Sequence, residues 1–373
     1  MERPLLFEKY PALRGKVDWI ELGEFPTPVQ KMEGLCAEEN LSDFYIKRDD
    51  LSSPYYGGNK VRKLEFLLAH AKARGKKATI TTGAVGSNHV LATVIHGERL
   101  GLETIGVLNP QPNAAYVRKN LLLDYAHGAK FVTTPSMFAM PVGLIKGMTN
   151  YYDRERRKFP YFIPPGGSNQ RGALGYIEGA LELKQQIDEG LLPEPELIFV
   201  TLGSSGTAAG LTLGVQLAGL KSRVIPVRVV EKVVCNAPYL CFHVNMTVRF
   251  LKERCPEVGV FKVRPRDILL LDDFAGDCYA GFTDACMDAV RKAKLYDGIK
   301  LEGTYTGKTL AGALDFIHKH SLERRPCLFM DTHNSVDLYP TVKDIDYHAL
   351  PREFHKYFEE PLQEEEMGCE VVY

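Results

Sequence analysis

From Ala78 onward, short apolar and β-branched runs alternate with stretches of helical composition. Ala78-Thr79-Ile80-Thr81-Thr82, Glu103-Thr104-Ile105-Gly106-Val107-Leu108 and Lys130-Phe131-Val132-Thr133-Thr134 read as strands, with helices over Asn88 to Leu100 and Ala114 to His127 between them. Alternation of this kind predicts a parallel sheet wrapped by helices. A second series begins near Tyr161 and includes Leu197-Ile198-Phe199-Val200-Thr201-Leu202, Arg223 to Val230, Ile268-Leu269-Leu270-Leu271 and Cys327-Leu328-Phe329-Met330. Two α/β units follow. Phe159-Pro160 and Pro164-Pro165-Gly166-Gly167 break any continuing helix and mark the junction. The basic run Arg154, Arg156, Arg157 and Lys158 just before it reads as a solvated face.

A chain of 373 residues with 45% hydrophobic content exceeds one ordinary core, so two lobes of an enzyme-sized protein are expected. Lys+Arg 46 against Asp+Glu 47 leaves a net charge of -1, which gives no electrostatic reason to invoke nucleic acid or an anionic membrane. A small-molecule partner fits better. The N-terminus has Glu2 and Pro4 where a signal peptide needs a basic start and an apolar run, and no apolar stretch approaches membrane-spanning length. A cytoplasmic protein is the expectation. The eight cysteines form no CxxC pair and read as buried reduced thiols. Cys235, Cys241, His243 and Cys255 have no standard ligand spacing, and no metal is expected. Cys369 stands fifth from the end, where prenylation needs the fourth position, and Glu364-Glu365-Glu366 reads as a solvated tail.

The candidate chemistry begins at Gly57-Gly58-Asn59-Lys60-Val61-Arg62-Lys63, which sets a lysine between a glycine turn and the first turn of a predicted helix. The positive end of the helix dipole, with Arg62 and Lys63 alongside, eases formation of the free amine. Lys60 is therefore a Schiff-base candidate, although alone the segment reads first as a solvated basic helix start. Two strand-to-helix loops are glycine-rich: Thr82-Gly83-Ala84-Val85-Gly86-Ser87-Asn88-His89 and Leu202-Gly203-Ser204-Ser205-Gly206-Thr207. Such loops collect ligands at the carboxyl ends of parallel strands. The second is the stronger anion cradle, with converging N–H groups, a helix dipole and hydroxyls on Ser204, Ser205 and Thr207. Gly303-Thr304-Tyr305-Thr306-Gly307-Lys308-Thr309 has three residues between its glycines where a Walker loop needs four, so an ATPase is not indicated and Lys308 reads as a surface charge.

Together, the lysine after Gly-Gly-Asn, the Ser-Asn-His loop, the Gly-Ser-Ser-Gly-Thr loop and the Tyr-Thr-Gly-Lys turn resemble the D-cysteine desulfhydrase and 1-aminocyclopropane-1-carboxylate (ACC) deaminase family. These are pyridoxal-phosphate (PLP) enzymes of the tryptophan-synthase-β fold, fold type II. The match runs from Phe25-Pro26-Thr27-Pro28 through Lys47-Arg48-Asp49-Asp50-Leu51 to about Thr332. The resemblance implies two three-layer α/β lobes with mainly parallel sheets. Residues 1–56 with 166–373 would form the larger, phosphate-binding domain and 57–165 the smaller. A cofactor between lobes, joined to a lysine on one and cradled by the other, suits the residues.

The resemblance also implies roles. Lys60 would hold the cofactor aldehyde, Asn88 would contact the ring hydroxyl, and Gly203, Ser204, Ser205, Gly206 and Thr207 would bind the phosphate. Ser87 and Tyr305 match the family's active-site serine and tyrosine, and Thr306 faces the pyridine nitrogen. His89 and Thr332 are candidate substrate contacts, His89 being equally readable as structural. Ser168 and Asn169 either line the cleft or cap the following helix. The deaminase type has Tyr-Glu-Gly and leucine where this chain has Thr306 and Thr332, while the desulfhydrase type has small hydroxyl residues at both. A threonine cannot act as the anion that keeps the ring protonated, so the ring is a weaker electron sink, sufficient to expel a thiolate. The expected activity is β-elimination from D-cysteine to pyruvate, hydrogen sulfide and ammonia, with Lys60, or a relay through Ser87 or Tyr305, taking the α-proton. ACC deamination, elimination from L-cysteate or a D-serine derivative, and a silent PLP-binding protein are the alternatives. A homodimer is implied. Departures from the family at Gly86, Leu91, Asp331, His333 and Asn334 lie beside the expected site.

Overall fold

The computed structural model describes residues 4–232, 235–259 and 261–363; Glu364-Glu365-Glu366 and Cys369 lie outside them. The strands are β1 (Val29–Lys31), β2 (Phe44–Arg48), β3 (Ala78–Ala84), β4 (Glu103–Asn109), β5 (Lys130–Thr133), β6 (Tyr161–Ile163), β7 (Leu197–Leu202), β8 (Arg223–Arg228) and β9 (Cys327–Asp331). Between them run helices α1 (Leu5–Lys9), α2 (Glu33–Glu38), α3 (Asn59–Ala73), α4 (Asn88–Arg99), α5 (Ala115–Ala126) and α6 (Met140–Asn150). The later helices are α7 (Gln170–Asp188), α8 (Gly206–Ala218), α9 (Ala237–Lys252), α10 (Asp284–Asp297), α11 (Thr306–Lys319) and α12 (Lys356–Glu359).

The strands make two sheets, ordered β1-β2-β9-β7-β8 and β5-β4-β3-β6. All pairs are parallel except β1 with β2. β6 pairs with β3, so the strand at Tyr161 closes the first series and does not open the second. Every residue of β7 is buried, as a central parallel strand covered on both faces requires. On one face of the larger sheet, Leu174 and Ile177 of α7, Leu211 and Leu213 of α8 and Val244 of α9 pack on Ile198 and Val200. On the other, Leu35, Val290, Leu310 and Leu314 pack on Phe44 and Phe199. The smaller sheet is sandwiched between α3, α4 and α5 on one side and α6 on the other. Val342, Leu350, Phe354 and Tyr357, near the end of the chain, reach across to join the α3–α4–α5 cluster.

Ile268-Leu269-Leu270-Leu271 is not a strand but meets β8 through one bridge, Val227 with Leu271. The Arg228 N–H donates to the Leu271 carbonyl and the Leu271 N–H to the Pro226 carbonyl. The next donor up that edge would be the N–H of Pro226, which proline lacks, so the ladder stops.

The packing of α3 bears directly on the site. Arg62, fully buried, donates to Asp49 (2.9 and 2.7 Å) and to Glu182 of α7 (2.9 Å from each of two nitrogens). Lys47 of β2 reaches the same Glu182, and Tyr176 donates to Asp49 at 2.7 Å. This closed set of hydrogen-bonded charges fixes helix, strand and α7 together.

Candidate active site

The parallel strands send their carboxyl ends toward one cleft, the position where an open α/β sheet binds ligands. The loops after β2, β3, β6, β7 and β9, with the turn before α11, surround a cavity of about 770 Å³. Lys60, Ser87, Asn88, His89, Gly203, Ser204, Ser205, Thr207, Tyr305 and Thr332 all line it. Gly206 and Thr306 do not.

Lys60 stands at the second position of α3. A side chain at Gly57 would place its Cβ 2.1 Å from the Asp50 carbonyl oxygen, and Gly58 has φ +89°, so the preceding turn requires its glycines. The Lys60 Nζ donates to Asn59 Oδ1 at 2.7 Å, and Asn59 Nδ2 donates to Thr207 Oγ1 at 3.0 Å. The ammonium is lowered from 10.5 to about 8, chiefly because burial disfavours the charge, with the Glu302 carboxylate opposing. The flanking cations are not the leading cause: Arg62 is neutralised within its own buried network.

The cradle is the loop from β7 into α8, whose first amides have no partners within the helix. Each hydroxyl has one proton, and the hydrogen bonds show where it goes. Ser168 Oγ accepts from the Gly206 N–H (3.0 Å) and donates to Ser204 Oγ (2.8 Å), which leaves the Ser204 proton for a guest. Thr207 Oγ1 accepts from Asn59 and keeps its proton likewise. Ser205 differs from the expectation, because its hydroxyl donates to the Ser204 carbonyl at 2.8 Å and contacts His243 Nδ1 at 3.0 Å, and so it offers a guest no hydroxyl. Gly206 stands behind the loop. Lys63, one turn after Lys60, reaches the Gly166 carbonyl at 3.0 Å and lines the cavity; burial and the neighbouring Lys60 hold its ammonium well below the usual value. A Cβ on Gly203 would meet nothing nearer than Tyr305 Cε1 at 3.9 Å, so a side chain there would occupy the open cradle.

On the opposite wall, Ser87 caps α4, accepting from the Val90 N–H at 3.4 Å. Asn88 Oδ1 accepts from the Tyr56 hydroxyl (3.1 Å) and Asn120 Nδ2 (3.0 Å), which turns its amide NH₂ toward the cavity. His89 is buried against Thr81 at 2.9 Å, and burial with Lys60 and Lys63 nearby holds it neutral. Ser168 lines the cleft and Asn169 caps α7, so each expectation for that pair is met by one residue.

The turn before α11 is organised by Glu302, which accepts from the backbone N–H groups of Thr304, Tyr305 and Thr306, each at 2.8 Å. Glu302 lines the cavity, whereas Thr306 is buried behind it and bonded to it at 3.2 Å. Tyr305 and Tyr279 share a hydroxyl–hydroxyl bond of 2.5 Å. Burial raises both phenols, Tyr279 to about 12, so both hold their protons at neutral pH. Lys308 is not a surface charge: it is fully buried and donates to the Ala275 carbonyl at 2.5 Å.

Tyr56, Tyr279 and Glu302 carry no expectation from the sequence, and Lys63 and His243 enter it only as a flanking cation and as one of a group without metal-ligand spacing. Lys63 was discernible from its spacing of one helical turn from Lys60, and Glu302 from its place at the entrance of a helix. Tyr279 carries no local signal. The departures from the family largely serve the scaffold. A Cβ on Gly86 would lie 2.8 Å from Val117 Cγ2, Leu91 is fully buried in the core, and Asn334 Oδ1 accepts from the Gly57 N–H at 2.7 Å. His333 lines the cavity.

Residues 20–332 match the family model described as "Pyridoxal-phosphate dependent enzyme". A Pyrococcus horikoshii protein named "Putative 1-aminocyclopropane-1-carboxylate deaminase" is 34% identical over 327 residues, 86% of this chain and 93% of that protein. The crystal structure of an ACC deaminase homologue superposes with a TM-score of 0.74 at 30% identity, covering 91% of this chain and 98% of that one. Threonine deaminase isoform 2 from Solanum lycopersicum shares the fold at a TM-score of 0.57 and 15% identity, over 92% of this chain and 93% of its own.

Proposed function

The chain belongs to the pyridoxal-phosphate-dependent enzymes, and within that family we propose that it is a deaminating lyase performing β-elimination on a small amino acid, with D-cysteine giving pyruvate, hydrogen sulfide and ammonia. The residues present fit the cofactor: a lysine amine lowered by burial lines the same cavity as two hydroxyls with free protons, a second, buried lysine and a glycine loop open to a phosphate. That arrangement is the observation that carries the reading. When bound, the cofactor supplies an electron sink conjugated to the substrate's α-carbon.

Lys60 and Lys63 lie three residues apart on one helix face and line the same cavity, so both cations address one guest. Lys60 Nζ, whose ammonium burial lowers to about 8 so that the free amine is within reach near neutral pH, is the group placed to accept the α-proton. The Asn88 amide NH₂ and the Ser87 cap at the entrance of α4 orient the guest from the other wall. Tyr305 is held protonated and bonded to Tyr279, so it is suited to donate to a leaving sulfur while Tyr279 steadies the resulting charge. Thr306 stands behind the cavity wall with its hydroxyl bonded to Glu302, and the Glu302 charge that does face the cavity is engaged by three amides of its own turn. This supports expulsion of a thiolate over ring opening.

ACC deamination is the second reading, favoured by the names of the relatives and by the Glu302 carboxylate on the cavity wall. Purified protein should be offered D-cysteine, L-cysteine, D-serine, L-cysteate and ACC, with pyruvate, 2-oxobutyrate and sulfide measured. Sulfide and pyruvate from D-cysteine are expected, and 2-oxobutyrate from ACC would establish the second reading instead. Loss of the visible cofactor absorbance in Lys60→Ala is expected; its persistence would sink the lysine assignment.

A further inference from the structure

Ser205 has φ +64° and ψ -18°, a left-handed conformation at the entrance to α8. For a residue with a side chain this costs about 1–2 kcal/mol, and glycine is the usual occupant. Something must hold serine there. Its hydroxyl bridges two groups: it donates its one proton to the Ser204 carbonyl at 2.8 Å and thus accepts from His243 Nδ1–H at 3.0 Å. His243 projects from α9, is 8% exposed, and is clamped by the Tyr239 ring with centroids 4.6 Å apart, so its donor has a fixed direction.

The rest of the cradle depends on that conformation. The Gly206 N–H must meet Ser168 Oγ, and Ser168 must meet Ser204, for the Ser204 proton to stay available. We infer that His243 is a positioning residue for the phosphate cradle, holding Ser205 left-handed from behind the loop without touching the guest. This rests on the reading that a phosphate occupies the cradle. It assigns His243, otherwise a bystander in the cysteine-rich stretch 235–255, a part in cofactor retention.

The full-length protein, stripped of cofactor, should be titrated with pyridoxal 5'-phosphate and with pyridoxal, which lacks the phosphate. Wild type should bind the phosphorylated form far more tightly; equal affinity would refute the cradle reading itself. His243→Ala should weaken pyridoxal 5'-phosphate about tenfold and leave pyridoxal within about twofold. His243→Gln, which keeps a side-chain N–H donor, should recover part of the loss. In a Ser205→Gly background, where the left-handed conformation needs no support, His243→Ala should have little effect. The inference is overturned if both ligands weaken together, if affinity is unchanged, or if the loss is as large in the Ser205→Gly background. Should His243→Ala fail to fold, His243→Leu supplies the same comparison by filling the space without a donor.

Discussion

The Lys60 amine titrates near 8 because burial penalises its charge, and this sets when the protein can capture an aldehyde. Uptake of pyridoxal phosphate by cofactor-free protein should accelerate with pH and reach half its maximum near 8, well below the 10.5 of an ordinary lysine. Stopped-flow absorbance across pH 6 to 10 checks this. The identity of the lysine was legible in its glycine turn, but the cause of its reactivity was not, since burial belongs to the folded cleft. Asp331 makes the opposite case. Burial, and then the adjacent Asp50, push its carboxyl well above the ordinary range, and its Oδ2 has no hydrogen-bond partner. The folded protein therefore holds a proton there that the unfolded chain releases, so this group's contribution to stability falls as pH rises from the usual aspartate range toward the raised folded value. Asp331→Asn should raise Tm at pH 8 on the order of a few degrees, with the gap closing toward pH 4; calorimetry of both proteins measures it.

At the scale of elements, α3 is aimed by its underside. Arg62, Asp49, Glu182 and Lys47 are buried and mutually satisfied, so removing one leaves the others charged in an apolar setting. Arg62→Ala should cost about 3–5 kcal/mol in urea unfolding and weaken cofactor binding, although Arg62 itself points away from the cavity. Most elements were readable from periodicity: the expected strand Leu197 to Leu202 and helix Asn88 to Leu100 appear as β7 and α4 within a residue. The failures have local reasons. The strand at Ile268 lacked a partner donor because of Pro226, and Lys308 went inside because its ammonium found the Ala275 carbonyl. The motif points to Thr306 as the group on the cavity wall, but Glu302, one turn earlier, occupies it.

For the whole molecule, the cavity is built from loops of both sheets, with Lys63 of α3 bonded to the Gly166 carbonyl and Asn59 to Thr207. A guest that touches both sides ties them together, so Tm should rise with the logarithm of free pyridoxal phosphate, about 2.7 kcal/mol being gained at a hundredfold excess over Kd. Thermal melts at several cofactor concentrations test this. The two-unit organisation was legible from the order of strand-like runs, but which strands neighbour one another was not, because register is settled by packing distant in sequence. That order has a consequence for biogenesis. β9 sits between β2 and β7, yet among the described residues it is the last strand to leave the ribosome. The four strands of the smaller sheet emerge consecutively and can assemble early, while the larger sheet stays in two halves until Cys327 has been translated. A nascent chain that stalls before that point leaves the ribosome with an unfilled gap at the centre of its larger sheet, where chaperones or proteases would find it.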